Sequence, residues 1–171
     1  MFIVSQLFIC VGYVLFFISR FRKEKRNILV MDSTSRVCSI VGYACLGSLN
    51  SIEHMLYGVG RNIIGQKLNK SNTAVKVLGF LIMLSLLCTM YGLSYEGLST
   101  IMFVISGSVN LFAVMFCNEQ GIRVATLLAA LLNIQAFSLL GSYASIVGES
   151  LCGGIGVLSY LKERKGSLYE K

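Results

Sequence analysis

The stretch Leu46-Gly47-Ser48-Leu49-Asn50-Ser51-Ile52 returns 94 residues later as Leu140-Gly141-Ser142-Tyr143-Ala144-Ser145-Ile146, with five of seven letters unchanged. Upstream, Gly12-Tyr13-Val14-Leu15-Phe16-Phe17 is echoed at an offset of 95 by Gly107-Ser108-Val109-Asn110-Leu111-Phe112. Two echoes in the same order at nearly one offset indicate that one half of the chain copies the other. In a polytopic membrane protein, such a duplication points to a transporter fold with its site between the halves.

The residues around the repeat place it in a membrane. Of the 171 residues, 55% are hydrophobic and only 13% are charged, against about 25% charged in soluble domains. The apolar residues fall into seven runs, 2–18, 28–47, 48–66, 75–93, 99–116, 123–140 and 143–161. A membrane-crossing helix needs roughly 20 mainly apolar residues. These runs use most of the chain, so no room remains for a soluble catalytic or nucleic-acid-binding domain. The first run follows Met1 with no basic segment before it, and it reads as a span rather than a cleaved signal peptide.

The net charge of +7 has a membrane explanation. Arg20, Arg22, Lys23, Lys25 and Arg26 fill the first connection; Lys67, Lys70 and Lys76 surround the third. Arg123 ends the fifth, and Lys162, Arg164, Lys165 and Lys171 lie in the tail. The connections near 47–50, 93–98 and 141–145 hold no Lys or Arg. The positive-inside rule therefore puts the N-terminus outside and the C-terminus in the cytoplasm. Nucleic acid is not an expected partner; the lipid bilayer is.

The predicted fold is an all-α polytopic membrane protein with seven transmembrane helices. A first three-helix repeat occupies 1–66, a linker containing the fourth helix 67–98, a second repeat 99–161, and a basic cytoplasmic tail 162–171. Three spans per repeat would invert a directly joined copy. One additional span restores the orientation and gives parallel repeats, a three-plus-one-plus-three arrangement.

Charged side chains inside a bilayer cost a few kcal/mol each, by order of magnitude, and each needs a reason. Glu53 and His54 open the third span, where Asn50, His54, Gly58, Arg61 and Gly65 recur at helical spacing. Ser145, Glu149, Gly153, Gly156 and Tyr160 form a similar stripe in the seventh, and the repeat pairs His54 with Glu149. An imidazole facing a carboxylate can share a proton. The glycines in both stripes read first as sites of close helix packing. Arg61, followed by Asn62, either binds an anionic solute, pairs with a carboxylate or reaches the headgroups. Asp32 and Arg36, spaced i, i+4, read as a structural salt bridge belonging to the first half alone. The six cysteines have no zinc or redox spacing. No nucleotide-binding glycine loop, zinc-protease motif or nucleophile elbow is present, so no enzymatic activity, cofactor, catalytic residue or metal is expected.

The basic loop after the first span, Leu46-Gly47-Ser48 leading to Arg61, Gly141-Ser142 leading to Glu149, and the basic end Lys162-Glu163-Arg164-Lys165 resemble the YgjV-like family of bacterial inner-membrane proteins. More distantly, the chain is similar to the SWEET and PQ-loop transporters. The resemblance implies the bacterial inner membrane, a solute site between spans 3 and 7, and roles for Arg61 and Glu149, which match an arginine and a glutamate of the family. SWEET and PQ-loop proteins hinge on a proline in each repeat, and this chain has no proline, so their rocking mechanism is not carried over.

Two functions remain in view. One is a small-solute facilitator or proton-coupled carrier, its substrate site formed by Glu53, His54, Arg61, Asn62 and Glu149, with a polar solute, protons and further copies of the chain as partners. The other is a non-transporting interaction or accessory protein with a closed bundle.

Overall fold

The computed structural model describes the backbone of residues 2–46, 49–93, 95, 97–139 and 143–169, with side chains described except at 2, 46, 49–51, 53, 143–145 and 163–169. Among the described residues there are seven α-helices: α1 (Phe2–Arg20), α2 (Lys25–Leu46), α3 (Leu49–Leu68), α4 (Thr73–Leu93), α5 (Leu98–Phe116), α6 (Glu119–Leu139) and α7 (Tyr143–Tyr169). Four of them, α1, α4, α5 and α6, are long and apolar enough to cross a membrane. The helices α2 and α3 are of similar length but carry Asp32 and Arg36, and Arg61, in their interiors. The turn residues Gly47, Ser48, Gly141 and Ser142 lie outside the described residues.

The chain divides into two compact units, Met1–Ser71 and Asn72–Lys171. In the first, α2 packs on both α1 and α3. Small residues bring α1 and α2 together. A Cβ added at Gly12 would lie 2.9 Å from the Ser35 carbonyl oxygen, and one added at Gly42 would lie 2.9 Å from that of Ser5. Such approach needs glycine, and small residues mark close helix packing in membranes. Serine hydroxyls on this face bond back into their own helix, Ser35 to the Asp32 carbonyl at 3.0 Å and Ser39 to the Ser35 carbonyl at 3.1 Å. Backbone carbonyls thus satisfy hydroxyls where lipid offers no partner.

In the second unit, α6 packs on both α5 and α7, and α4 packs on α5. Asparagines start two of these helices. Asn72 Oδ1 accepts from the Val75 N–H at 3.0 Å, and Asn118 Oδ1 from the Gly121 N–H at 3.0 Å, each capping an orphan donor of the first turn. Aromatic contacts join α4 to α5, with Phe80 and Phe116 ring centres 5.8 Å apart and Tyr91 stacked on Phe103 at 6.0 Å. Gly107 receives Leu87 of α4, whose Cδ2 would lie 2.8 Å from an added Cβ. Gly12 and Gly107, equivalent in the sequence repeat, therefore serve different helix pairs. Two α7 glycines are also taken up in packing: Gly153 sits against Ala130, and Gly156 against the Arg123 carbonyl.

Large apolar side chains cover both units outwardly, including Ile3, Leu7, Leu78, Ile82, Leu131 and Leu158. A soluble monomer rarely exposes so much contiguous apolar surface. Acyl chains are the solvent that suits it.

Candidate functional site

The second polar turn of α2 carries the first unit's one buried carboxylate among its described side chains. Asp32 is 2% exposed. The chain leaves α1 through a tight turn, with the Phe21 and Arg22 amides bonded to the Ile18 and Ser19 carbonyls. That turn brings Arg20, the last residue of α1, against Asp32, with Nη2 3.3 Å from Oδ1. The Arg20 guanidinium also lies over the Phe16 ring at 4.3 Å, a cation–π contact within its own helix.

Three more groups converge on the other carboxylate oxygen. Arg36, one turn along α2, places Nε 3.0 Å from Oδ2. From α3, Arg61 places Nη2 3.6 Å from the same oxygen, and the Asn62 amide donates a short hydrogen bond to it. The Asn62 carbonyl oxygen in turn accepts from Arg61 Nε at 3.2 Å and Nη2 at 3.1 Å. These partners fix the amide orientation, since the reverse would set an NH2 group against a guanidinium.

Gly58 makes the arrangement possible. A Cβ there would fall 2.7 Å from Arg36 Cζ and 2.8 Å from Cδ. The missing side chain lets the Arg36 stem lie across the α3 backbone, where Nη1 reaches the Met55 sulfur at 3.8 Å. A thioether is a weak acceptor, so Arg36 makes one strong bond and one weak one. Its side chain is 16% exposed, against 6% for Arg20 and 7% for Arg61.

Arginine stays protonated in proteins. Among the described side chains, three guanidiniums around one carboxylate leave an excess of two positive charges at this cluster. An isolated buried charge is expensive, and only hydrogen-bonded pairing makes it tolerable. Asp32 is consequently the element that allows three cations to gather in one place. An excess positive charge held away from lipid is the electrostatic complement of an anion.

Of the residues singled out in the sequence, Arg61 and Asn62 meet here. The structure joins to them the Asp32–Arg36 pair, which the sequence treats as separate. Arg61 lies against a carboxylate, one of the contacts that its sequence setting leaves open. Arg20 is the residue that sequence reasoning assigns to the basic loop; it is instead 5% exposed. Its signal is that it follows the apolar run with only Ser19 between, four residues after an aromatic ring. Arg123 is similarly displaced from loop to core, being 2% exposed within α6. His54 is exposed on α3, two turns before Arg61. Glu53 lies in α3 with its side chain outside the described residues. Glu149 is half-buried on α7, in the second unit.

The second unit holds a cavity of about 560 Å³ lined by Phe80, Phe112, Ala113, Leu128 and other apolar groups. Its Ser108 hydroxyl is bonded to the Val104 carbonyl at 2.7 Å, so it presents an apolar wall. Among the described residues, no group of three or more His, Cys, Asp or Glu side chains is placed to hold a metal ion.

Seven helices, lipid-facing apolar surface and an internal ion cluster describe an integral membrane protein. Residues 3–165 match the Imp-YgjV family, described as a bacterial inner membrane protein. The chain belongs to that family. The match runs through both units and takes in every residue of the Asp32 cluster. No curated protein and no solved structure matches this Imp-YgjV member.

Proposed function

We propose that this inner membrane protein is a small carrier or facilitator for an anionic polar solute, and that Arg20, Arg36 and Arg61 form its binding charge. The supporting observation is the gathering of three guanidiniums on the single carboxylate of Asp32. In this reading Asp32 and Asn62 position the cations, and Arg36, the most exposed of the three, meets the solute first. His54, two turns away on the same side of α3, supplies a group able to carry a proton. The proposal takes all seven helices as spans with the N-terminus outside. The alternation of basic loops supports that orientation. The three-plus-one-plus-three organisation, SWEET-like in outline, rests on the repeated sequence. The proposal assigns no enzymatic chemistry.

Flux into proteoliposomes tests it, using a panel of small carboxylates and phosphate esters beside size-matched neutral and cationic solutes. The expected result is uptake of at least one anion. Arg36→Gln should reduce that uptake by about tenfold or more, the worth of one hydrogen bond to a charged group. Uptake confined to cations or neutral solutes, or anion uptake unaffected by Arg36→Gln, contradicts the proposal.

A further inference from the structure

A second polar feature of the first unit stands apart from the Asp32 cluster. The first turn of α2 and the last turn of α3 enclose a pocket of about 330 Å³, within the range of small-molecule sites. Its rim carries four cations, Lys25 and Arg26 from α2, and Lys67 and Lys70 from the end of α3. Gln66 and Asn69 add two amides, and the buried Leu29 lies beneath. Among the described residues, no carboxylate lines it. The neighbouring Glu24 accepts from the Asn27 amide at 3.0 Å.

Local structure gives the pocket one sign. The amino end of α2 adds its partial positive charge. Two of the carbonyls closing α3 that would oppose it are engaged: Gln66 accepts from the Asn69 N–H at 3.3 Å, and Leu68 from the Ser71 N–H at 3.0 Å. Arg26, Lys67 and Lys70 bring like charge to one concavity, and an anion shared among them would relieve it. A phosphate oxygen set can accept from several of them at once. The pocket also lies at an end of both helices, level with the basic loops that flank a bilayer.

We infer that the pocket of Lys25, Arg26, Lys67 and Lys70 binds a phosphate-bearing anion. Two sources share this chemistry, the headgroup of an anionic phospholipid and a soluble phosphate. Basic pockets between membrane helices hold such headgroups. Lys67 and Lys70 do not touch the Asp32 cluster, so this site stands or falls separately from the carrier reading.

The experiment uses the full chain purified in nonionic detergent. Native mass spectrometry compares retention of phosphatidylglycerol with phosphatidylcholine of the same acyl chains, and calorimetry titrates inorganic phosphate. The expected result is selective retention of phosphatidylglycerol, measurable phosphate binding, or both. Lys67→Gln/Lys70→Gln should weaken it by about thirtyfold, roughly fivefold for each lysine near a membrane surface. Lys67→Arg/Lys70→Arg should retain it. Lipid retention without phosphate binding identifies the headgroup as occupant; phosphate binding alone identifies a soluble one. Equal retention of both lipids with no phosphate binding overturns the inference. So does undiminished binding in the glutamine variant with circular dichroism matching the wild type.

Discussion

Replacing Asp32 by Asn removes one charge and leaves the shape of the side chain. In the structure it takes away the shared counter-ion of Arg20, Arg36 and Arg61, which lie 3.3, 3.0 and 3.6 Å from its oxygens. Each such pair is worth about 5 kcal/mol at an effective dielectric constant of 20. Most of that offsets desolvation and the mutual repulsion of the guanidiniums. Breaking a buried pair by removing one partner costs about 3–5 kcal/mol net. Asn also places an NH2 group among donors, so the high end of that range is expected. For a chain of this size the loss corresponds to a fall of roughly 6–20 °C in the unfolding midpoint. The assay is thermal unfolding of detergent-purified protein followed by circular dichroism and by loss of the monodisperse elution peak. A double variant, Asp32→Asn with Arg20→Gln, should recover part of the loss by removing one orphaned cation. A midpoint within about 2 °C of the wild type for Asp32→Asn would refute the claim that the carboxylate holds the cluster together.

Other outcomes follow from the same packing. Gly58→Val drives a side chain into the Arg36 guanidinium and should cost about 1–3 kcal/mol, read as a lower unfolding midpoint, with Gly60→Val, which meets nothing within 4 Å, as the tolerant control. Gly12→Leu should separate α1 from α2 and lower the midpoint more than Gly92→Leu, where space is open. Asn72→Ala removes the cap on the Val75 amide and should cost about 1 kcal/mol, measured in the same unfolding assay. In a cysteine-free background, an impermeant thiol reagent applied to intact spheroplasts should label Tyr95→Cys and spare Ser71→Cys; the reverse pattern contradicts the orientation derived from the basic loops.

The helices were legible because charge interrupts apolar runs. The run 75–93 is α4 almost to the residue, and 99–116 is α5. Ends elsewhere extend past the apolar stretch: α6 begins at Glu119 behind its Asn118 cap, four residues before its apolar run. Hydropathy marks the bilayer interior, whereas helices end at caps. The site was legible only in pieces. Arg61 and Asp32 each stood out as an expensive group in an apolar setting, and the i, i+4 spacing paired Asp32 with Arg36. The union of the two depends on α2–α3 packing, thirty residues apart between Asp32 and Asn62, and no local pattern encodes that register. Arg20 was hidden by its neighbours, since a basic residue heading a basic loop looks solvated until the turn after α1 is known. Gly58 reads with the other stripe glycines as a site of close packing, but the sequence does not show that the side chain it admits is that of Arg36.

The central claim, that Asp32 gathers three arginines inside the first unit, is open to direct measurement by solid-state NMR of the protein reconstituted in bilayers. Dipolar recoupling between the Asp32 carboxyl carbon and arginine guanidinium nitrogens should show close contacts, consistent with N···O separations of 3.0–3.6 Å, and the signal should step down with each of Arg20→Gln, Arg36→Gln and Arg61→Gln. A carboxyl carbon with no guanidinium nitrogen nearby, or one whose signal only Arg36→Gln abolishes, would contradict the account.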